Sequence, residues 1–230
     1  MSIFHTAKAT CGTCGHVNDV ERVASVNADL RPDLREAILD RTFQREVCAK
    51  CGTALRLQPH LTYLDFARGL WVMVEPAETI ERWKQAEADA RRTWDRSFGM
   101  RASPHGRSMG LSMRSRLAFG WTALREKILC DELGLDDVTL ELLKLTVIRD
   151  MAEAPLADQT ELRLVSGDAK TLRLDWIELS SERSISGVQV PRADHDAITA
   201  AAADWADARA TFDGALLVDW RRMMFEGVSA

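Results

Sequence analysis

A chain of 230 residues with 46% hydrophobic and 28% charged side chains has material for one large domain or two to three small ones, in the proportions of an ordinary soluble globular protein. Its formal net charge of −5 argues against broad affinity for nucleic acid, though a local basic patch can still exist. No run approaches ~18 uninterrupted apolar residues, and Met1-Ser2-Ile3-Phe4-His5-Thr6-Ala7-Lys8 has neither the apolar core nor the cleavage site of a secretory leader, so no membrane association is expected.

In chain order, the first feature is Cys11-Gly12-Thr13-Cys14-Gly15, echoed by Cys48-Ala49-Lys50-Cys51-Gly52. Between them, Val20, Val23 and Val26 mark a β-rich stretch, and Asp29 to Leu39 reads as a short helix with Leu34, Ile38 and Leu39 on one side. After the second pair, Leu55-Arg56-Leu57 alternates as a strand. Leu61–Phe66 and Leu70–Val74 form the arms of a hairpin with Ala67-Arg68-Gly69 as its turn.

Pro76 opens a helix expected to run to about Phe98, with Ile80, Trp83, Ala90 and Trp94 on its apolar side. Residues 99–113 hold Gly, Pro and Ser without periodicity and are the best linker candidate. From Arg114 a helical pattern returns through Leu117, Trp121, Leu124 and Ile128; Gly134 fits its end and Asp136 or Asp137 the next N-cap. A second helix follows through Leu140, Leu143, Val147 and Met151. Strands are expected at Glu161–Val165, Thr171–Ile177 and Ser186–Val190, then helix from Asp194 to Phe225 with a break near Asp213-Gly214. The fold class is therefore α+β, in three parts. These are a zinc-ribbon-like module over residues 1–75, a helical region over 76–153 with a flexible basic linker, and a small αβ part over 154–230.

The paired cysteines carry the clearest chemistry. Two Cys-x-x-Cys units can surround one metal with Cys11, Cys14, Cys48 and Cys51, and a closed four-sulfur shell is the usual form of a structural zinc site. The glycine after each pair relieves the backbone where it bends and lets amide N–H groups approach the sulfurs. Iron in the same shell, as in rubredoxin, stays open. His16 reads as a neighbour of the shell or a surface residue, and Cys130 as a small buried apolar residue. Paired thiols of this kind suit a reducing compartment, and the cytoplasm is expected.

The ordered set of motifs resembles the CpXC domain family, named for two Cys-Pro-x-Cys motifs. The likeness lies in the cysteine pairs with their 33-residue insert and in Leu61-Thr62-Tyr63-Leu64-Asp65 through Trp71-Val72-Met73. It continues in Leu124–Leu129, Gly134-Leu135-Asp136-Asp137 and Glu141-Leu142-Leu143-Lys144, covering about residues 8–153. Gly12 and Ala49 stand where the family usually has proline, which loosens the knuckles and leaves all four sulfurs in place. The family is bacterial and archaeal and largely of unknown function, so the resemblance implies a zinc-ribbon-like module and no reaction.

Other residues carry both a functional and a plainer reading. Arg91, Arg92, Arg96, Arg101 and Arg107 lie in a segment, 76–116, with nine basic and five acidic residues, and could contact phosphates; a solvated, partly flexible face is the plainer reading. Tyr63, Phe66 and Trp71 are candidates for a partner-binding surface. Glu126, Lys127, Asp136 and Asp137 read as caps and surface pairs, and Trp83, Trp94, Trp121 and Leu124 as core. Asp194-His195-Asp196 fits the first turn of a helix. Signatures such as GxSxG, HExxH, GxxxxGK[ST] and GxGxxG are absent. The leading expectation is a non-enzymatic interaction or adaptor protein whose zinc is purely structural. The alternatives are a nucleic-acid-associated factor using Arg91–Arg116 and a rubredoxin-like iron electron carrier. A protein partner is expected; its identity and the oligomeric state are open.

Overall fold

The computed structural model describes residues 2–156 and 159–226; the last four residues of the expected C-terminal part, 227–230, lie outside them. The fold is mixed α+β, with eight α-helices and three sheets among the described residues. None of these helices is long and apolar enough to cross a membrane. The chain divides into two compact units, Met1–Trp121 and Thr122–Ala230.

The first unit is built on a five-stranded mixed sheet in the order β1-β2-β5-β6-β7. Strands β1 (Ile3–Thr10) and β2 (Val17–Asn27) form an antiparallel hairpin whose tip is the first cysteine knuckle. Helix α1 (Pro32–Leu39) follows, burying Leu34 and Ile38 as its periodicity predicts. Short strands β3 (Arg45–Val47) and β4 (Ala54–Arg56) make a separate two-stranded ribbon around the second knuckle. Strands β5 (Leu61–Asp65) and β6 (Leu70–Glu75) form the expected hairpin.

A 3-10 turn at Ala77–Arg82 leads into α2 (Trp83–Ser97). Aromatic edges lock this helix onto the hairpin. Trp71 meets Trp94 with ring centroids 5.4 Å apart, Trp94 meets Phe98 at 5.1 Å, and Phe98 meets Phe66 at 6.1 Å.

Two stretches differ from the sequence expectation. The segment 99–113, expected as a flexible linker, contains helix α3 (Pro104–Gly110), capped by Ser103, whose hydroxyl accepts from the Gly106 amide. Its glycines mark close packing. A Cβ on Gly106 or Gly110 would sit 2.6 Å from the carbonyl oxygen of Ser97 or Phe98, so only glycine lets α3 lie against the end of α2. Arg114–Phe119 is a strand, β7, paired parallel with β6, where a helix was expected. Leu117 and Trp121 have helical spacing, but the turn at Gly120 (φ 83) falls between them, and sheet pairing overrides the pattern.

Helix α4 (Gly120–Glu132), all but its first two residues in the second unit, ends at Gly134, which has φ 62, and α5 (Asp137–Asp150) starts at Asp136, whose carboxylate accepts from the Thr139 amide at 2.8 Å. Strands β8 (Thr160–Gly167), β9 (Thr171–Glu178) and β10 (Arg183–Pro191) form an antiparallel sheet in the order β10-β9-β8. The tail contains α6 (Arg192–Ala200), α7 (Ala206–Ala210) and α8 (Arg221–Glu226). Helix was expected up to Phe225 apart from one break; instead Ala215–Trp220 is a buried non-helical segment. Its apolar run from Ala215 to Val218 leaves no polar face for a surface helix, and Asp219 beyond it is buried as well.

This segment completes a buried ionic network that corrects the surface reading of Glu126, Lys127 and Asp137. Lys144 Nζ, wholly buried, donates to Glu126 Oε1 at 2.7 Å and to Glu141 at 3.0 Å. Arg163 donates to Glu126 at 2.9 Å, and to Glu161 and Asp219 at 2.7 Å each. Lys127 meets Asp137 at 3.2 Å and donates to the Val218 carbonyl at 2.6 Å. The backbone amides of Leu164 and Trp220 donate to Glu126 and Glu141. Burial opposes ionisation of Glu126 and Asp219, but the adjacent cations outweigh it and hold both carboxyls below their ordinary values. Glu141 moves the other way, since burial raises it and its neighbouring acids add to the effect.

Lys144→Met would leave Glu126 and Glu141 without their shared cation. It should cost about 3–5 kcal/mol, read as a lower denaturation midpoint. Hydrogen exchange across residues 122–226 should also depend on pH. Depressed carboxyls contribute fully above their unfolded values and lose that contribution as pH falls through their native ones. Protection should therefore fall below about pH 4, with Glu141, whose shift has the opposite sign, giving an opposing gain on the way down. Flat protection through that range would contradict the network's role in stability.

Candidate metal centre

The two knuckles repeat one backbone pattern. In the first, the Cys11 amide donates to the His16 carbonyl at 2.8 Å and the Gly15 amide to the Cys11 carbonyl at 2.9 Å. In the second, Cys48 donates to Thr53 and Gly52 to Cys48, both at 2.9 Å. Gly15 and Gly52 have φ values of 69 and 73, the left-handed conformation that each turn requires and that glycine adopts without strain. Each turn therefore aims both of its sulfurs the same way.

The sulfurs of Cys11, Cys14, Cys48 and Cys51 all lie within 4.8 Å of one another. Cys11 and Cys51 are 3.7 Å apart, as are Cys14 and Cys48, so the contacts run between knuckles. That is far beyond the roughly 2.05 Å of a disulfide. Four thiolates about 2.3 Å from a central ion in a tetrahedron would stand roughly 3.8 Å apart. The donor set and the spacing both fit a metal ion, and the four cysteines could hold one.

Electrostatics point the same way. Cys48 is lowered to about 6, chiefly by the backbone N–H of Cys51 against an opposing cost of burial, with help from Lys50 and the Asn18 amide. Cys51 is lowered by the Thr53 hydroxyl and backbone. Cys14 is pushed up to about 12: the His16 backbone favours its thiolate, but the neighbouring thiols and burial prevail. Sulfurs this close divide into ionised and protonated members unless a cation sits among them. His16 is outside the cluster. Cys130 is buried in α4, where burial raises its thiol well above the ordinary value.

The other candidate residues do not converge. Tyr63 and Trp71 are 0% and 1% exposed and form core, so they cannot offer a partner surface; Phe66 beside them is half-buried. Trp71 packs edge-on against Trp94 of α2, and the Tyr63 hydroxyl donates to the buried Asp65 carboxylate at 3.3 Å. Arg91 pairs with Glu87 and Arg92 with Asp89 on α2, and Arg101 pairs with Asp95. Arg107 donates to the Ala102 carbonyl on α3, and Arg96 is exposed. His195 is buried, with Nε2 3.3 Å from the Asp136 carbonyl, in the first turns of α6.

Asn18, which sequence reasoning missed, lies on β2 beside the centre and touches both knuckles. Its place two residues after His16 was its only signal.

The model of the CpXC protein family matches residues 9–144. This chain belongs to the CpXC family. The match takes in both knuckles of this CpXC protein and continues through β7 into α4 and α5, ending at Lys144. No curated protein and no solved structure gives a match.

Metal should couple to folding of the knuckles. Chelator-treated protein should lose amide protection over residues 9–18 and 44–57, and re-added metal should restore it. Helix α5, whose core is shared with the sheet and tail of the second unit, should keep its protection. Equal protection with and without chelator would refute a folding role for the ion.

Proposed function

We propose that this CpXC protein is a non-enzymatic interaction module in which zinc, bound by Cys11, Cys14, Cys48 and Cys51, is purely structural. The zinc fixes a zinc-ribbon-like N-terminal part. The observation that carries this reading is the spacing of the four sulfurs, which accounts for every position of a tetrahedral shell. A shell closed by protein thiolates leaves no open position for substrate or water, so the ion acts as a scaffold. Zinc favours such a shell and brings no redox chemistry of its own.

An adaptor role draws support from the knuckle end. Val17, just past the first knuckle, is 50% exposed, and Val47, just before the second, is 67% exposed. Apolar side chains in that position are suited to contact with another protein. A nucleic-acid role has less support, since Arg91, Arg92 and Arg101 already face acidic partners within the chain.

Protein from cells supplied with both metals should be colourless and carry one zinc per chain by elemental analysis, and Cys11→Ser should lose it. A coloured, iron-loaded protein would favour the electron-carrier alternative. The Val17→Asp, Val47→Asp double variant should keep its zinc and lose a partner that cross-links to the wild type. An unchanged set of cross-linked partners would place the contact elsewhere.

A further inference from the structure

Asn18 is 6% exposed and sits opposite Ala9 in the β1–β2 register, just below the first knuckle. Its Nδ2 shares two N–H groups among three acceptors, the Cys48 sulfur at 3.7 Å, the His16 carbonyl at 3.2 Å and the Ala9 carbonyl at 3.4 Å. Its Oδ1 accepts from the Ala49 amide at 2.9 Å. One side chain thus spans from the strand that carries the first knuckle to two consecutive residues of the second.

The chemistry of this arrangement is specific. The Asn amide supplies two N–H donors and an acceptor on one rigid plane. Here the acceptor fixes the second knuckle through its backbone and a donor faces one of its sulfurs. Aspartate could keep the Ala49 bond but would turn a lone pair and a negative charge toward the sulfur. Leucine, of similar size, could do neither job. A donor beside a thiolate draws electron density from the sulfur and eases the crowding of four negative ligands around a divalent ion.

We propose that Asn18 is a positioning residue of the metal centre, which holds the second knuckle at the first and tunes the Cys48 sulfur for a divalent ion. This rests on the metal reading above. Removing such a partner typically weakens metal binding about 10–100-fold. Geometry and sulfur tuning are separable, because aspartate keeps the Ala49 contact and replaces the donor at the sulfur with a charged acceptor, while leucine removes both contacts without adding charge.

The experiment uses the full chain as wild type, Asn18→Asp and Asn18→Leu. Zinc affinity is read by competition with a chromophoric chelator, and cobalt(II) is substituted to read the sulfur-to-metal charge-transfer band and the tetrahedral d–d bands. Both variants should bind zinc about 10–100-fold more weakly. Both should also show the charge-transfer band at lower energy, since the sulfur has lost its donor, while the d–d bands report an intact tetrahedral site. A purely structural Asn18 would leave the band where it is in a folded, metal-loaded variant, and that result overturns the tuning role. Wild-type affinity in both variants overturns the proposal entirely. A wild type that binds neither ion overturns the metal reading itself and the proposal with it.

Discussion

The first unit depends on bringing four sulfurs within 4.8 Å of each other, an arrangement that mutual repulsion resists until a cation is shared among them. The sulfurs come from two hairpins of unequal strength. The β1–β2 hairpin is long and belongs to the main sheet. The β3–β4 ribbon has three residues in each strand and, among the described residues, pairs with no other strand, too little for stability alone. It is held at its base by Trp121. The indole donates to the Leu57 carbonyl at 2.8 Å, meets Phe43 edge-on at 5.7 Å, and lies under the Arg56 guanidinium at 4.8 Å. At its tip the ribbon relies on Asn18 and the sulfur cluster. The weaker hairpin is therefore fixed at both ends by residues far away in sequence.

This arrangement explains what could be read from the sequence. The knuckles were legible because their geometry is local: Cys-x-x-Cys-Gly fixes the turn and the sulfur direction without help from elsewhere. The β5–β6 hairpin and the three strands of the second unit were legible through short apolar or alternating runs bounded by turn residues, as in Leu172, Leu174 and Trp176 of β9. Strand β1 was not, because it is an edge strand with no buried residue, so its apolar pattern has no face to report. Strand β7 was hidden because its neighbours share a helical spacing with it, and α3 because glycines placed for close packing resemble glycines placed for freedom.

The buried network was illegible for a different reason. Glu126, Lys127, Asp137, Glu141 and Lys144 have the spacing and composition of solvated helix faces, and charged residues are rarely buried unless paired. Their partners Glu161, Arg163 and Asp219 come from a strand and an irregular segment distant in the chain. No local rule forecasts that meeting. Desolvating so many charges is expensive, and a fully hydrophobic core of the same shape could be as stable or more so. What the network supplies is a single arrangement: each carboxylate has assigned donors, and a shifted helix or tail would strand a buried charge.

That requirement bears on how far the family region can stand alone. The match ends at Lys144, so Glu126, Lys127, Asp137, Glu141 and Lys144 lie inside it, while Glu161, Arg163 and Asp219 lie beyond. Cut there, the chain would lose the Arg163 guanidinium that neutralises Glu126, and the Leu164 and Trp220 amides that satisfy Glu126 and Glu141. Lys144 would be left to serve two carboxylates, and Lys127 would lose the Val218 carbonyl. Apolar burial would fail as well, since Leu140, Leu142 and Leu143 share one hydrophobic cluster with Leu162, Trp176 and Trp220. The sheet and tail of the second unit are therefore not an appendage to helices α4 and α5 but the other half of their core, and in this chain the boundary of the family match is not a boundary of folding.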